Sequence, residues 1–474
     1  MKKYWLIARV VIVLSVIHMG PVVAFADSDV SFFAPPPLST PSGQTIRFAV
    51  FSDPHYYDSA LGTTGEAFEA YLNSDRKMIR ESEAILKSAI SKMLQDNIRF
   101  VLVSGDLTKD GELSGHTEFA AYLKDLEDSG IQVYVVPGNH DINNPDAVSY
   151  SGATTTSVPS ISPDDFARIY DQFGFEQAIA RDPNSLSYLV EPVAGLCILA
   201  MDSCRYLENV DTPIVGGRFS QETLDWILGQ IAWARAGNKQ IIGFMHHGVV
   251  AHYSMEPLLF ADYLVDDWAR VSKLFADAGM RMVFTGHYHG QDVVKRSIKT
   301  TDAPSFIFDV ETGSFVTYPV PYRIVTLSPA SYPIPYQPAA LNNATSLATI
   351  ESRFITEIDY DTGGVPFRQY ALQYLEDGLL VIAQTILVND FGLDPVAAQA
   401  YAPDVVKAFE ANYTGDENPD QETLQTVYSY LRMPDPALKL IGMGLLSLWN
   451  DPAPADNNLT IDLRTGAAFP LAVP

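Results

Sequence analysis

Five short motifs, each at the end of an apolar run, collect the side chains that bind divalent metals. They are FSDPH (Asp53, His55), SGD (Asp106), PGNHD (Asn139, His140, Asp141), FMHH (His246, His247) and TGHYH (His287, His289). Of the nine histidines, six lie in these motifs, His252 follows one closely, His18 sits near the N-terminus and only His116 stands apart. Histidines placed by packing alone would scatter. Imidazole and oxygen donors without thiolate suit Mn, Fe, Zn or Co and argue against a closed structural zinc site. Two divalent ions roughly 3.5–4 Å apart clamp the attacking and leaving oxygens of a displacement at phosphorus. Two aspartates facing two dications leave a positive centre, which attracts phosphate and lowers the pKa of bound water. Metal-assisted hydrolysis of a small phosphate ester is the expected chemistry.

The positioning elements are legible around the motifs. Asp53 and His55 are two residues apart, so at a strand end they point the same way and can hold one ion together. His287 and His289 have the same spacing but need not share an ion if the backbone turns, as Gly286 and Gly290 permit. Apolar strands are expected over residues 46–52, 100–103, 131–136, 196–201, 241–245 and 282–284. A helix is expected over 76–96, capped by Ser74 or Asp75, from its three-to-four apolar spacing. A second carries Phe119, Tyr122, Leu123 and Leu126 and stops at Gly130, and a third runs over 221–236 behind Ser220 as N-cap. Apolar strands without polar alternation, separated by helices, indicate sheets covered on both faces. Ligands collect at the carboxyl ends of such strands, which is where the motifs fall.

Composition bounds the partners. The net charge is −26, and a body this acidic repels long nucleic acid, whose affinity depends on Lys and Arg displacing counterions. Residues 1–26 read as a bacterial signal peptide: Lys2 and Lys3, an apolar stretch over 10–17, then Ala24-Phe25-Ala26. Export to the periplasm or medium is therefore expected, followed by a Pro/Ser-rich linker over 27–44. Beyond the N-terminus no run approaches the roughly 20 apolar residues of a membrane span. Cys197 is expected to be a buried free thiol, with a disulfide to Cys204 as the alternative. The catalytic domain is assigned to 45–329. A smaller, mostly helical domain is assigned to 330–474, with a strand-like stretch over 348–358 and helices over 365–389, 395–413 and 421–449, the last broken near Pro434.

Taken together the motifs resemble the calcineurin-like metallophosphoesterase family, whose D-x-H, GD, GNH(D/E), strand-end His and GHxH all occur here in order. The resemblance covers roughly residues 46–325 and implies an α/β fold, a four-layer α/β/β/α sandwich with two mixed sheets. It also implies that one metal is held by Asp53, His55, Asp106 and His289, and the second by Asp106, Asn139, His246 and His287. His140 would assist the leaving oxygen, with Asp141 orienting it, and His247 would support a ligand. The stretches GDLTKDGE, VVPGNHDINNP and ETGSFVTYP are similar to exported bacterial members described as cyclic-nucleotide phosphodiesterase-like, which implies a preference for diesters over monoesters. Purple acid phosphatases carry a tyrosine three residues after the bridging Asp; Lys109 stands there instead. Further expectations are a surface His116, a loop or pocket role for His252 and Tyr253, and Arg323 in a salt bridge or on substrate. An amidohydrolase and a catalytically idle metal-binding protein are the rival classes.

Overall fold

The computed structural model describes residues 45–298, 305–329, 345–415, 417–450 and 452–471. The expected signal segment and linker, and nearly all of the Pro/Tyr-rich stretch after Pro329, lie outside these residues. In chain order the strands are β1 (Ile46–Phe51), β2 (Phe100–Val103), β3 (Gln132–Val135), β4 (Val148–Ser151), β5 (Thr154–Ser157), β6 (Ala180–Arg181), β7 (Tyr188–Val193) and β8 (Leu196–Met201). Then come β9 (Gln240–Met245), β10 (Met282–Thr285), β11 (Val293–Ile298), β12 (Ser305–Glu311), β13 (Pro321–Pro329), β14 (Thr345–Phe354), β15 (Asn458–Asp462) and β16 (Ala467–Pro470).

These strands build two large mixed sheets, ordered β16-β15-β14-β13-β1-β2-β3 and β11-β12-β10-β9-β8-β7-β6, while β4 and β5 form a separate hairpin. In the first sheet β1, β2 and β3 are parallel. In the second β8, β9, β10 and β12 are parallel. The expected sandwich is therefore present, and its parallel centres explain the unbroken apolar runs. Along β8, Leu196, Ile198 and Ala200 face the core between the sheets. Cys197, Leu199 and Met201 face the outer core under the helices Gln221–Ala236 and Trp268–Ala278. Successive side chains alternate faces, and here both faces are buried. Phe48 of β1 meets Phe284 of β10 edge-on at 5.8 Å, joining the two sheets.

Helix Gln221–Ala236 starts as expected, with the Ser220 side chain accepting from the Thr223 amide. The first expected helix is shorter, Ser82–Met93. Residues 76–81 are held out of it: the Met78 amide donates to the Val316 carbonyl, and Asp75 caps no helix but accepts from the Arg76 amide. Cys197 and Cys204 are both free thiols.

The helical C-terminal region exists, as Phe367–Asn389, Pro395–Thr414, Gln421–Arg432 and Pro436–Leu448. It is not separate from the first sheet, however. β14 pairs with β13, β15 with β14 and β16 with β15, so the chain beyond 330 supplies three strands of that sheet. The composition changes there because the helices are new, not because the sheet ends. Phe367–Asn389 is also long and apolar enough, by length and composition alone, to cross a membrane, which corrects the absence expected from sequence. Its buried face carries Ala371, Leu375, Leu379, Ala383 and Leu387.

Arg323 of β13 ties the C-terminal chain to the sheet. It is fully buried, and burial lowers its pKa to about 10, which keeps it charged at neutral pH. It donates to the carbonyls of Asp456 (2.5 Å), Asp292 (3.3 Å) and Glu311 (3.2 Å). It is thus a structural clamp and not a substrate ligand. Arg323→Met removes the guanidinium's bonds to these three carbonyls, at about 1 kcal/mol for each net hydrogen bond lost. Urea unfolding should show a loss of about 3 kcal/mol; a loss below about 1 kcal/mol would contradict the clamp.

Candidate metal centre

The carboxyl ends of β1, β2, β3, β9 and β10 face one another where the two sheets meet, and each delivers a motif. Three ligand groups converge there: Asp53, His55 and His289; His55, Asp106 and His140; Asp106, His246 and His287. Asp53, His55, Asp106, His287 and His289 all have positive φ, between 37° and 74°. Non-glycine residues seldom occupy this region, and such strain persists only where the surroundings enforce it. Part of the enforcement is backbone pairing: the Asp53 and His55 amides donate to the Gly105 and Asp106 carbonyls at 3.1 and 3.0 Å. Part is close approach, since a Cβ on Gly286 would lie 1.8 Å from Ser52 Oγ.

The donor atoms fit cations. His246 Nδ1 faces the Ser104 carbonyl at 2.9 Å, which directs Nε2 at Asn139 Oδ1 (3.0 Å) and Asp106 Oδ2 (3.4 Å). His55 Nε2 and His289 Nε2 stand 3.3 Å apart, and Asp53 Oδ1 lies 3.3 Å from the latter. Asp53 Oδ1 is buried without a hydrogen-bond partner, and it shares this space with His55 Nε2 and His289 Nε2. Lone pairs that converge in this way, out of water, call for positive charge. The electrostatics agree: burial depresses the His246 imidazole, but the Asp106 carboxylate outweighs it and pushes the pKa up to about 9. Burial, then Lys77, holds His55 well below its ordinary value; burial, then His247 and His246, does the same to His287. Neutral imidazoles are the form that ligates.

The seven expected ligands Asp53, His55, Asp106, Asn139, His246, His287 and His289 are therefore brought together. His247 sits beside them, with Nδ1 2.8 Å from Ser203 Oγ and Nε2 2.8 Å from the Val215 carbonyl. Both its nitrogens are occupied, and its ring packs 4.5 Å from that of His287, so it supports rather than ligates.

His140 is the part of the constellation that reaches solvent, with a side chain 24% exposed. Its partner corrects the expected assignment. Asp110, not Asp141, faces the imidazole, with Oδ1 2.8 Å from His140 Nδ1. The Asp141 carboxylate is taken by the amides of Leu107, Thr108 and Gly138 at 2.8–3.0 Å, so it locks the two loops together. Burial and the Asp106 charge push its pKa up to about 7 against those amides. Lys109, at the position of the absent tyrosine, pairs with Asp110. His116 is also corrected: it is fully buried, with Nδ1 2.8 Å from Tyr170 Oη and Nε2 2.9 Å from the Asp141 carbonyl. Its helix packs that face inward, and burial holds its pKa near 3, so it is a neutral brace for the GNHD loop. Arg76 and Lys77 beside His289 were missed because the periodicity of 76–96 made them look like an exposed helix start.

A second buried cluster stands behind the centre. His252 Nδ1 is 3.3 Å from Asp292, and Nε2 is 3.5 Å from Glu311 and 3.6 Å from Asp309. Its backbone amide donates to Glu256. Those carboxylates hold the metal loops: Asp309 accepts from Val249, Val250 and Thr285, and Glu311 accepts from the Gly290 amide. Burial alone would depress His252, but Asp292 and Glu311 raise it well above its ordinary value.

A sequence model of the family described as calcineurin-like phosphoesterase matches residues 46–291. Among solved structures, the chain is similar to a dimetal phosphatase from Danio rerio, with 14% identity and a TM-score of 0.44 over 67% of this chain and 97% of that one. It is similar to a purple acid phosphatase from yellow lupin (Lupinus luteus), with 13% identity and a TM-score of 0.39 over 66% and 52%. It is also similar to GAP50, the anchor in the inner membrane complex of Plasmodium, with 12% identity and a TM-score of 0.32 over 70% and 94%. No curated protein matches the chain.

Because the folded-state pKa of His252 is raised, its stabilisation is complete below the unfolded value near 6.5. It is lost as pH rises through the folded value. In urea titrations the midpoint should fall on the alkaline side more steeply in the wild type than in His252→Gln. The variant should be about 3 kcal/mol weaker at pH 6, the order expected for a broken buried ion pair. Parallel slopes would show that His252 is not a buried imidazolium.

Proposed function

The chain belongs to the calcineurin-like phosphoesterase family and is a metal-dependent phosphoric ester hydrolase, and from that premise we propose that it cleaves small phosphate esters at the centre built on Asp106. The observation that carries this is the shared carboxylate: Asp106 belongs both to the group with His55 and His140 and to the group with His246 and His287. Asp53, His55, Asp106 and His289 would hold one ion, and Asp106, Asn139, His246 and His287 the other. Two divalent ions, drawn from Mn, Fe, Zn or Co, supply Lewis-acid charge at phosphorus and a water of lowered pKa when bound. Family membership sets the amidohydrolase alternative aside.

The chain's own residues do the rest. Asp110 accepts the Nδ1 proton of His140 and so turns Nε2 toward the centre, 4.0 Å from Asp106 Oδ2. From there His140 gives a proton to the departing alcohol oxygen, the general-acid role. Its backbone amide, donating to Asp106 Oδ1 at 2.9 Å, fixes it to the bridging carboxylate. The Asp106 main chain is in turn fixed through the His55 amide and the neighbouring Asp141 loop. Diesters are preferred over monoesters on the likeness of the GDLTKDGE and VVPGNHDINNP stretches. Export is supported by the composition of residues 1–26 alone.

His140→Ala should lower kcat roughly 10²–10⁴-fold, the usual worth of general acid–base help, with metal content retained. Asp110→Asn should lower kcat less and displace the pH–rate profile, whereas Asp141→Asn should chiefly lower the unfolding midpoint. The assays are turnover of bis-p-nitrophenyl and p-nitrophenyl phosphate, with metals counted by mass spectrometry. Unchanged turnover of both esters in His140→Ala would contradict the mechanism. A profile displaced by Asp141→Asn and not by Asp110→Asn would contradict the assignment of partners.

A further inference from the structure

Lys109, in the turn that follows β2, is a lysine almost wholly out of water, with 1% exposure. A buried ammonium is costly and persists only where other groups meet its charge. Its Nζ pairs with Asp110 Oδ2 and stands 3.8 Å from Glu112 Oε1. Aromatic rings meet it as well. Nζ lies 4.5 Å from the centre of the Tyr71 ring and 5.5 Å from that of Tyr150, within the range of cation–π attraction. Burial alone would depress the ammonium, but Asp110 and then Glu112 raise it above its ordinary value, so it stays charged.

The two rings come from parts of the chain outside both large sheets. Tyr71 is on the helix Glu66–Leu72, and Tyr150 is on β4 of the separate hairpin. Helix and hairpin are joined, since the Ala67 amide donates to the Gly152 carbonyl at 2.9 Å. Phe68 of the same helix packs edge-on against Tyr150 at 5.0 Å. These elements supply no metal ligand; what they cover is Lys109.

What the lysine holds is the partner of the general acid. Asp110 Oδ1 accepts from His140 Nδ1 at 2.8 Å and from Asn144 Nδ2 at 3.5 Å, while Oδ2 accepts from Lys109. The Asp110 amide donates to Glu112 Oε2 at 2.9 Å, which fixes the main chain. The plane of an aspartate carboxylate turns on a broad torsion with little preference of its own. Tied at one oxygen it can swing; tied at both it cannot. Without Lys109, Oδ2 would lose its charged partner and compete with Oδ1 for the imidazole.

We propose that Lys109 is a positioning residue for the leaving-group step: its ammonium holds the Asp110 carboxylate in the orientation that aims His140 at the departing oxygen. This rests on the phosphoesterase function and on the general-acid role of His140 proposed above. Being buried, Lys109 acts through Asp110 and His140 and not on the substrate itself.

The test takes the leaving group as its readout. A misaimed acid matters less when the departing phenolate is stable and more when it is not. Damage to the fold lowers turnover of every ester alike. Wild type and variants, loaded with manganese, are assayed on methyl aryl phosphates whose phenols run from 4-nitrophenol to unsubstituted phenol. Lys109→Met should lower kcat about threefold on the 4-nitrophenyl ester and about 30-fold on the phenyl ester, short of the roughly 10²–10⁴-fold worth of the acid itself. KM and metal content should be nearly unchanged. Lys109→Gln keeps a donor for one carboxylate and should show the same trend with smaller amplitude; it decides the matter if Lys109→Met does not fold. In the His140→Ala background either substitution should cost less than about twofold, because residues that act as a unit are not additive.

Losses equal along the series, or undiminished in the His140→Ala background, make Lys109 a structural ion pair and overturn the proposal. The controls separate the claims. If the wild type hydrolyses no ester, the phosphoesterase function falls and this proposal with it. If His140→Ala loses equally along the series, the general-acid role falls with it. If both controls behave and the Lys109 variants do not, only the positioning role falls.

Discussion

A carboxylate buried among imidazoles is the constraint around which the molecule is organised. Asp106 presents Oδ2 to His55 at 3.6 Å, to His246 at 3.4 Å and to His140 at 4.0 Å, while Oδ1 takes the His140 amide. Asp106 is almost wholly out of water, so its charge must be met inside the fold. Both sheets are committed to meeting it. β1, β2 and β3 bring oxygen and imidazole from one side, and β9 and β10 bring imidazole from the other. The left-handed backbone at five of these residues is strain that the sandwich sustains because its apolar cores are packed on both faces of the second sheet.

Around that centre stands a shell whose function is rigidity. Asp141 and His116 brace the GNHD loop, His247 backs His287, and the His252 cluster ties β12 to the loops after β9 and β10. Each is buried and each uses its polar atoms on backbone or neighbouring side chains. This division leaves His140 as the histidine that combines an approach to the Asp106 carboxylate with access to solvent. Asp110 becomes its partner because the turn after β2 doubles back over the GNHD loop.

Much of this was legible in the chain. The ligands could be found because metal binding restricts residue type and strand ends restrict spacing; Asp53-x-His55 and His287-x-His289 carry both signals. The strands were legible because their two buried faces leave them apolar throughout. What sequence could not convey was the burial of side chains with ordinary surface character. His116 lies on a helix whose pattern does not single it out, and Asp110 is one carboxylate among many in an acidic chain. Arg76 and Lys77 follow a helical rhythm that tertiary contacts with Val316 and Gly378 override. The C-terminal boundary misled for a related reason: a change in composition marks new helices, while strand pairing from β13 to β16 continues the same sheet across it.

The helical region lies against the metal loops, with Tyr413 and Gly378 on Arg76 and its core packed on Tyr288 in the GHxH loop. The central claim, a dinuclear centre bridged by Asp106, is tested most directly by anomalous diffraction from crystals grown with manganese. The account predicts two peaks roughly 3.5–4 Å apart on either side of the Asp106 carboxylate, one beside Asp53 and His289 and the other beside Asn139, His246 and His287. A single peak, or peaks that leave Asp106 without a metal contact, would contradict it.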